Sequence, residues 1–151
     1  MAILKWAGGK SLHAPLIYKE FQSVREKNRY IEPFFGGGSV YFYIAENNKC
    51  LLKRSIINDT NKDLIELYIN IKKNPKRLIE EHEKMIKSFK LKDYSEGYYM
   101  IRGKFNGINQ NKNRIKKYSG IERSAALMVL NKTCFNGLYR VNSKGLFNVP
   151  K

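Results

Sequence analysis

Cysteine and histidine are scarce in this sequence. The 151 residues include only two of each: Cys50, Cys134, His13 and His82. No two of them stand at the spacing of a zinc site, so we expect no structural metal. So few cysteines are typical of a reduced, cytoplasmic protein.

Long apolar runs are also missing. From its first residue the chain passes directly into Lys5-Trp6-Ala7-Gly8. A signal peptide needs an apolar core of about 7–15 residues, and a membrane-spanning helix needs about 20. We therefore expect neither, and no membrane partner.

Acidic residues are few beside the basic ones. The chain has 13 Asp and Glu against 29 Lys and Arg, which gives a formal net charge of +16. Such an excess attracts polyanions and accelerates encounter with them. Either a nucleic-acid partner or a solvated lysine-rich surface would explain this positive charge.

The first sixty residues have an α/β pattern. We predict helices over 14–21 and 39–46 and strands within 29–32 and 51–58, the second ending at Asp59. This order, in which a strand, a glycine turn and a helix precede a strand that ends in an acidic residue, is typical of the start of a nucleotide-binding, Rossmann-like sheet.

From residue 61 the composition becomes helical and basic. Asn61 or Asp59 can cap the first of four predicted helices, which Asn74-Pro75 ends. The others fall within 78–89, 94–105 and 122–130, with a polar, basic loop at 107–120. We therefore expect a partial sheet in residues 1–60 and a mainly helical region in residues 61–151.

Two glycine motifs invite nucleotide-binding interpretations. Gly36-Gly37-Gly38 follows a strand, and Asp59 lies 21 residues beyond it, where it can bind ribose hydroxyls. A dinucleotide fingerprint needs a third glycine where Tyr41 stands, so a simple tight turn remains an alternative. Gly8-Gly9-Lys10-Ser11 is not a P-loop, because that pattern requires glycine at Leu4.

Small turn residues alternate with aromatic and basic residues near the C-terminal end. The stretch runs from Asn131 to Arg140 and continues over 145–150. It suits a loop that inserts side chains into a nucleic-acid groove. Alternatively, Phe135 and Leu138 belong to a small core and Arg140 clamps a phosphate.

Five blocks, taken together and in this order, resemble the adenine-specific DNA methyltransferases of the Dam type. They are Leu4–Lys10, Glu32–Val40, Asn58-Asp59-x-Asn61-x-Asp63-Leu64, Tyr98-Tyr99-x-x-Arg102-x-x-Phe105-Asn106 and the 131–150 stretch. The resemblance implies S-adenosyl-L-methionine as cofactor and methyl transfer to adenine N6 in double-stranded DNA. It also implies a GATC-type target, a role in DNA adenine methylation or restriction-modification, and a prokaryotic or phage protein acting at the nucleoid.

The same resemblance assigns residues to two sites. For the cofactor it implies Trp6, Lys10, Glu32, Phe34, Gly36, Gly38 and Asp59. For DNA it implies Lys5, Phe135, Asn136, Leu138 and Arg140. Arg140 is then the candidate for a bidentate contact to guanine, and Phe135 for a wedge beside a flipped adenine.

The motif that positions the adenine amino group in this family, Asp-Pro-Pro-Tyr, does not occur in the 151 residues. We assign no catalytic residue for that reason. We expect an N-terminal portion of such an enzyme, inactive alone, whose partner is the C-terminal half. The alternative is a non-catalytic, sequence-preferring DNA-binding remnant.

Overall fold

Two short parallel strands join the helices of the N-terminal unit, residues 1–60. The structure, a computed structural model, describes residues 2–24, 29–48 and 54–151. The elements of this unit are α1 (Ala14–Ser23), β1 (Tyr30–Glu32), α2 (Ser39–Asn47) and β2 (Ser55–Ile57). The predicted order of helices and strands is confirmed, while residues 51–53 of the second predicted strand lie outside the described residues.

Aromatic side chains fill the interior of the N-terminal unit. Phe35 is buried and makes edge-to-face contacts with Tyr41 and Phe42, and Ile44 is fully buried. β1 and β2 pair in parallel, with Ile31 opposite Ile56, and both of these side chains remain exposed. One face of the sheet is therefore covered by the aromatic cluster, and the other is open.

Four helices make up most of the helical unit, residues 61–151. They are α3 (Lys62–Lys73), α4 (Pro75–Lys90), α5 (Tyr94–Asn106) and α6 (Gly120–Thr133). All four predicted helices are present, and α6 is longer at both ends than the sequence pattern indicated.

The last of these helices, α6, is the centre of the helical unit. It packs against α3, α4 and α5. Ser124, Ala125 and Ala126 are buried, and their small side chains allow the neighbouring helices to approach closely. The Ser124 hydroxyl accepts a buried hydrogen bond of 2.9 Å from the Asn70 amide on α3, so this buried polar group is satisfied.

The first helix of the unit is capped by Asn61. Its side-chain oxygen accepts from the Leu64 backbone N–H at 3.1 Å, which settles the choice between Asn61 and Asp59. Such a cap contributes about 1 kcal/mol to stability. Pro75 then opens α4 in the first turn, where a missing N–H has no cost.

Two hairpins project from the helical unit. The basic hairpin, residues 107–118, has an antiparallel bridge between Ile108 and Arg114 and occupies the predicted loop. The C-terminal hairpin, residues 138–149, has a bridge between Val141 and Phe147. None of the described helices combines the length and apolar content needed to cross a bilayer.

The apolar side of α4 contains a histidine. The Nε2 atom of His82 is buried and has no hydrogen-bond partner among the described residues. Burial lowers the pKa of His82 below its ordinary value, and the charge of Lys132 lowers it further, against an opposing effect of Glu83. The ring is therefore neutral at pH 7. Its protonation would destabilise the folded unit.

The lowered pKa predicts acid sensitivity of the helical unit. Because the unfolded chain binds the proton more readily than the folded one, stability falls as the pH decreases below about 6.5. We expect His82→Met to reduce the loss of stability between pH 7.5 and 5.5, measured as the shift of the urea midpoint. An equal shift in variant and wild type would exclude His82 as a source of that loss.

Candidate functional site

A cavity of about 230 Å³ opens in the N-terminal unit where both parallel strands end. This is the edge of an α/β sheet at which ligands bind. Six of the seven residues predicted for the cofactor line it: Trp6, Lys10, Glu32, Phe34, Gly36 and Asp59. Gly38 does not line it, whereas Gly37, Ser39 and Val40, which were not among the predicted cofactor residues, do.

The glycine turn is shaped by packing inside the protein. A Cβ on Gly36 would lie 2.9 Å from Cδ1 of Trp6, and one on Gly38 would lie 2.6 Å from Cζ of Phe35. Both glycines also have positive φ, +50° and +71°, which side chains disfavour. The space freed by these glycines is thus filled by aromatic rings, and Gly36 seats the Trp6 side chain beside the cavity.

The end of β2 is tied to this turn by Asp59. Its Oδ2 atom accepts a hydrogen bond of 2.8 Å from the Gly36 backbone N–H. The bond orients the carboxylate at the wall of the cavity, and a carboxylate has about four acceptor sites in all. Asp59 therefore fixes the turn and lies at the wall of the cavity.

A partly buried acid, Glu32, lies at the end of β1. The Tyr30 hydroxyl donates to Oε2 of Glu32 at 2.6 Å. Burial raises the pKa of Glu32, and the hydrogen bond from Tyr30 opposes that rise. Since the charged form is costly here, a cationic group in the cavity would stabilise it.

The remaining predicted residues of the N-terminal unit are exposed. The ammonium of Lys10 donates to the Gly8 carbonyl at 2.8 Å, at the mouth of the cavity. Phe34 is 85% exposed, and Lys5 is also exposed. The described residues contain no group of three His, Cys, Asp or Glu side chains that could hold a metal ion.

The second group of predicted residues lies on the helical unit, in and before the C-terminal hairpin. Arg140 is exposed, and its Nε donates to Oδ1 of Asn148 at 2.9 Å. A longer contact of 3.5 Å joins Nη2 to the Asn148 carbonyl. Asn148 belongs to the 131–150 stretch, but nothing in the sequence indicated that its side chain binds the Arg140 guanidinium.

A short 3-10 turn precedes the hairpin. Asn136 has left-handed backbone geometry with φ 53°, and the buried amide of Asn131 donates to the Gly137 carbonyl at 2.8 Å. Phe135 begins this turn and is 56% exposed. The alternative prediction that Phe135 belongs to a small core is therefore wrong. Leu138 is partly buried.

A part-buried ion pair anchors the hairpin to the helices. Arg123 donates to both oxygens of Asp63, through Nε at 2.6 Å and Nη2 at 2.9 Å. The Tyr139 hydroxyl donates to the same carboxylate at 2.8 Å, and Arg123 also donates to the Phe105 carbonyl at 2.7 Å. Burial and the charge of Asp63 raise the pKa of Tyr139, so the hydroxyl keeps its proton.

The far strand of the hairpin is held by α5. The Asn106 side chain donates to the Phe147 carbonyl at 2.9 Å and accepts from the Phe147 N–H at 2.8 Å. Tyr98 and Arg102 both donate to the Val149 carbonyl, at 2.7 and 3.0 Å. Arg140 therefore belongs to a hairpin whose two strands are each hydrogen-bonded to the helices, through Tyr139 on one side and Phe147 on the other.

Curated proteins match nearly the whole of this chain. The chain is 44% identical over 153 residues to the type II methyltransferase M.MjaIII of Methanocaldococcus jannaschii, covering 97% of this chain and 50% of that protein. It is 38% identical to the DNA adenine methylase of Haemophilus influenzae (97% and 45%) and 32% identical to that of Escherichia coli (99% and 46%). The chain thus spans about half the length of these curated relatives.

The family profile described as D12 class N6 adenine-specific DNA methyltransferase matches residues 6–151. This match includes the loop of Trp6, the glycine turn, Asp59 and the C-terminal hairpin. The chain belongs to the family of D12 class N6 adenine-specific DNA methyltransferases.

Proposed function

We propose that this chain provides the cofactor-binding and target-recognition parts of an S-adenosyl-L-methionine-dependent adenine-N6 DNA methyltransferase. The observation that carries the proposal is the convergence of six predicted cofactor residues on one cavity at the carboxyl ends of the parallel strands. In this proposal residues 1–60 begin a Rossmann-like catalytic domain, and residues 61–151 recognise the target in prokaryotic or phage DNA.

The chemistry of the cavity fits that cofactor. When bound, S-adenosyl-L-methionine supplies the methyl group. Lys10 is a partner for its carboxylate, Glu32 for its positive charge and Asp59 for ribose hydroxyls, while Trp6 offers a flat apolar wall. Gly38 supports the site indirectly, through the packing of Phe35.

The C-terminal hairpin fits base recognition. A guanidinium reads guanine by donating to O6 and N7, a contact worth about 1–3 kcal/mol of discrimination. Asn148 restrains Arg140 through Nε, which orients the terminal nitrogens for that contact. In this proposal exposed Phe135 inserts into the base stack, Asn136, Leu138 and Lys5 are further DNA contacts, and GATC is the target.

Methyl transfer requires more than these residues provide. Adenine N6 is a weak nucleophile whose orientation can account for about 7–11 kcal/mol of the barrier. No Asp-Pro-Pro-Tyr occurs among the 151 residues. We propose a C-terminal methyltransferase half as the partner that contributes it, packing on the open sheet face of Ile31 and Ile56.

Arg140 should control sequence preference. We expect duplex binding that weakens steeply with salt, and we expect Arg140→Ala to lower the preference for GATC over a one-base variant by about 5- to 150-fold. Arg140→Lys keeps the charge but loses the paired donors, so it should lose most of the preference too. Competition binding with both duplexes measures the ratio.

Tyr139→Phe is the matched control for positioning. It keeps the ring but removes the hydrogen bond to Asp63, so the preference should fall less than in Arg140→Ala. If Arg140→Ala weakened binding to every duplex equally, Arg140 would be a phosphate contact.

Cofactor binding by residues 1–151 should be weak. The cavity of about 230 Å³ lies below the range of roughly 300–1,000 Å³ that encloses a ligand of this class. We expect calorimetry with S-adenosyl-L-methionine to show little or no heat, and saturable tight binding would contradict an incomplete pocket. Asp59→Asn should abolish whatever binding is measured.

Methyl transfer should be undetectable with the 151-residue chain. The assay incubates the chain with methyl-labelled cofactor and a GATC duplex and measures the label incorporated into adenine. We expect co-expression with the C-terminal half of the Methanocaldococcus jannaschii relative to restore transfer, and the same half without its motif aspartate to fail. Labelled adenine from the short chain alone would refute the proposal, whereas binding without restored transfer would favour a non-catalytic DNA-binding protein.

A further inference from the structure

The basic hairpin carries an uninterrupted excess of positive charge. No acidic residue occurs in the sequence between Glu96 and Glu122, and within this interval the hairpin has four cations: Lys112, Arg114, Lys116 and Lys117. No described carboxylate lies within 4 Å of the charged ends of these side chains, whereas Lys84 is paired with Glu81 at 2.8 Å. Within the described residues these four side chains therefore form no close ion pair, although Lys116 lines a pocket with Glu81 and Glu122.

Backbone hydrogen bonds hold the basic hairpin in a defined shape. The Asn109 N–H donates to the Asn113 carbonyl, and the Ile115 N–H donates to the Gly107 carbonyl, both at 2.9 Å. The stem of Lys117 covers Gly107, where a Cβ would lie only 2.4 Å from Cγ of the lysine. Cations on a restrained hairpin lose less freedom on binding than cations on a free loop would.

The two hairpins of the helical unit border one groove. Its volume is about 540 Å³, and both hairpins contribute to its walls. Ile108, Asn109 and Gln110 come from the basic hairpin, and Asn142, Phe147 and Asn148 come from the C-terminal hairpin. Asn148 is the residue that holds Arg140. The hairpin that carries the four cations thus borders the same groove as Asn148, the hydrogen-bond partner of the proposed base-reading side chain.

In duplex DNA, phosphates lie close to the base edges that a side chain reads. The major groove is about 12 Å wide, so a side chain that reads a base edge has a phosphate backbone on either side. The duplex carries one negative charge per about 1.7 Å of its axis. A neighbouring ordered hairpin with free cations would meet that backbone.

We infer that the basic hairpin is a second DNA-contact surface, which binds backbone phosphates beside the bases that Arg140 reads. The inference rests on the proposed function. It assigns affinity and salt dependence to the basic hairpin and sequence preference to the C-terminal hairpin.

A pair of double variants tests this division. Lys112→Gln with Arg114→Gln removes two charges from the basic hairpin, and Lys87→Gln with Lys90→Gln removes two from the exposed end of α4. Each phosphate contact contributes about 0.9 to the slope of log affinity against log salt concentration. We expect the hairpin variant to lose about 1.8 from that slope and the α4 variant to lose little.

Sequence preference and folding complete the test. The ratio of affinities for GATC and altered duplexes should stay within twofold of wild type in the hairpin variant, with an unchanged urea midpoint. Equal slopes for the two variants, a lost preference in the hairpin variant, or tighter hairpin-dependent binding to duplex RNA than to DNA would overturn the inference. A different result would contradict the proposed function: wild type showing no sequence preference, or a preference that Arg140→Ala leaves unchanged.

Discussion

The bidentate ion pair between Asp63 and Arg123 is the interaction on which the helical unit depends. It joins the first turn of α3 to α6, and Arg123 also reaches the carbonyl of Phe105 on α5. Removing one member of such a pair leaves a poorly solvated charge and typically costs about 3–5 kcal/mol when the pair is buried. The pair here is partly exposed, so the cost is lower, but Tyr139 would lose its acceptor as well.

The C-terminal hairpin needs this external support because it has little internal structure. One bridge joins its strands, between Val141 and Phe147, and an isolated two-stranded hairpin is marginal in water. The helices supply the missing stability through side chains that bond to its backbone, notably Asn106. If Arg140 reads a base as proposed, it must be held to within a fraction of an ångström, and this arrangement restrains both strands of its hairpin.

In the N-terminal unit, too, side-chain contacts hold the segments that line the cavity. The Gly36 N–H and Asp59 carboxylate connect a turn to the end of the neighbouring strand, and Trp6 packs on the side of the turn that glycine leaves open. The walls of the cavity are thus positioned by residues that also hold the unit together. Substitutions here are expected to change stability and ligand binding together, which is why Lys10 at the exposed mouth is a cleaner probe than Gly36.

The sequence alone determined the order of the elements, the division in composition near residue 60 and the family, because periodicity, caps and motifs are local properties. Asn61 as the cap of α3 is one example. Tertiary structure decided which side chains meet across the chain. Asp63 lies 76 positions from Tyr139, and no local pattern indicates that pairing. It likewise decided that Gly38 serves packing rather than the cavity, because only the folded unit brings Phe35 and Phe42 against it.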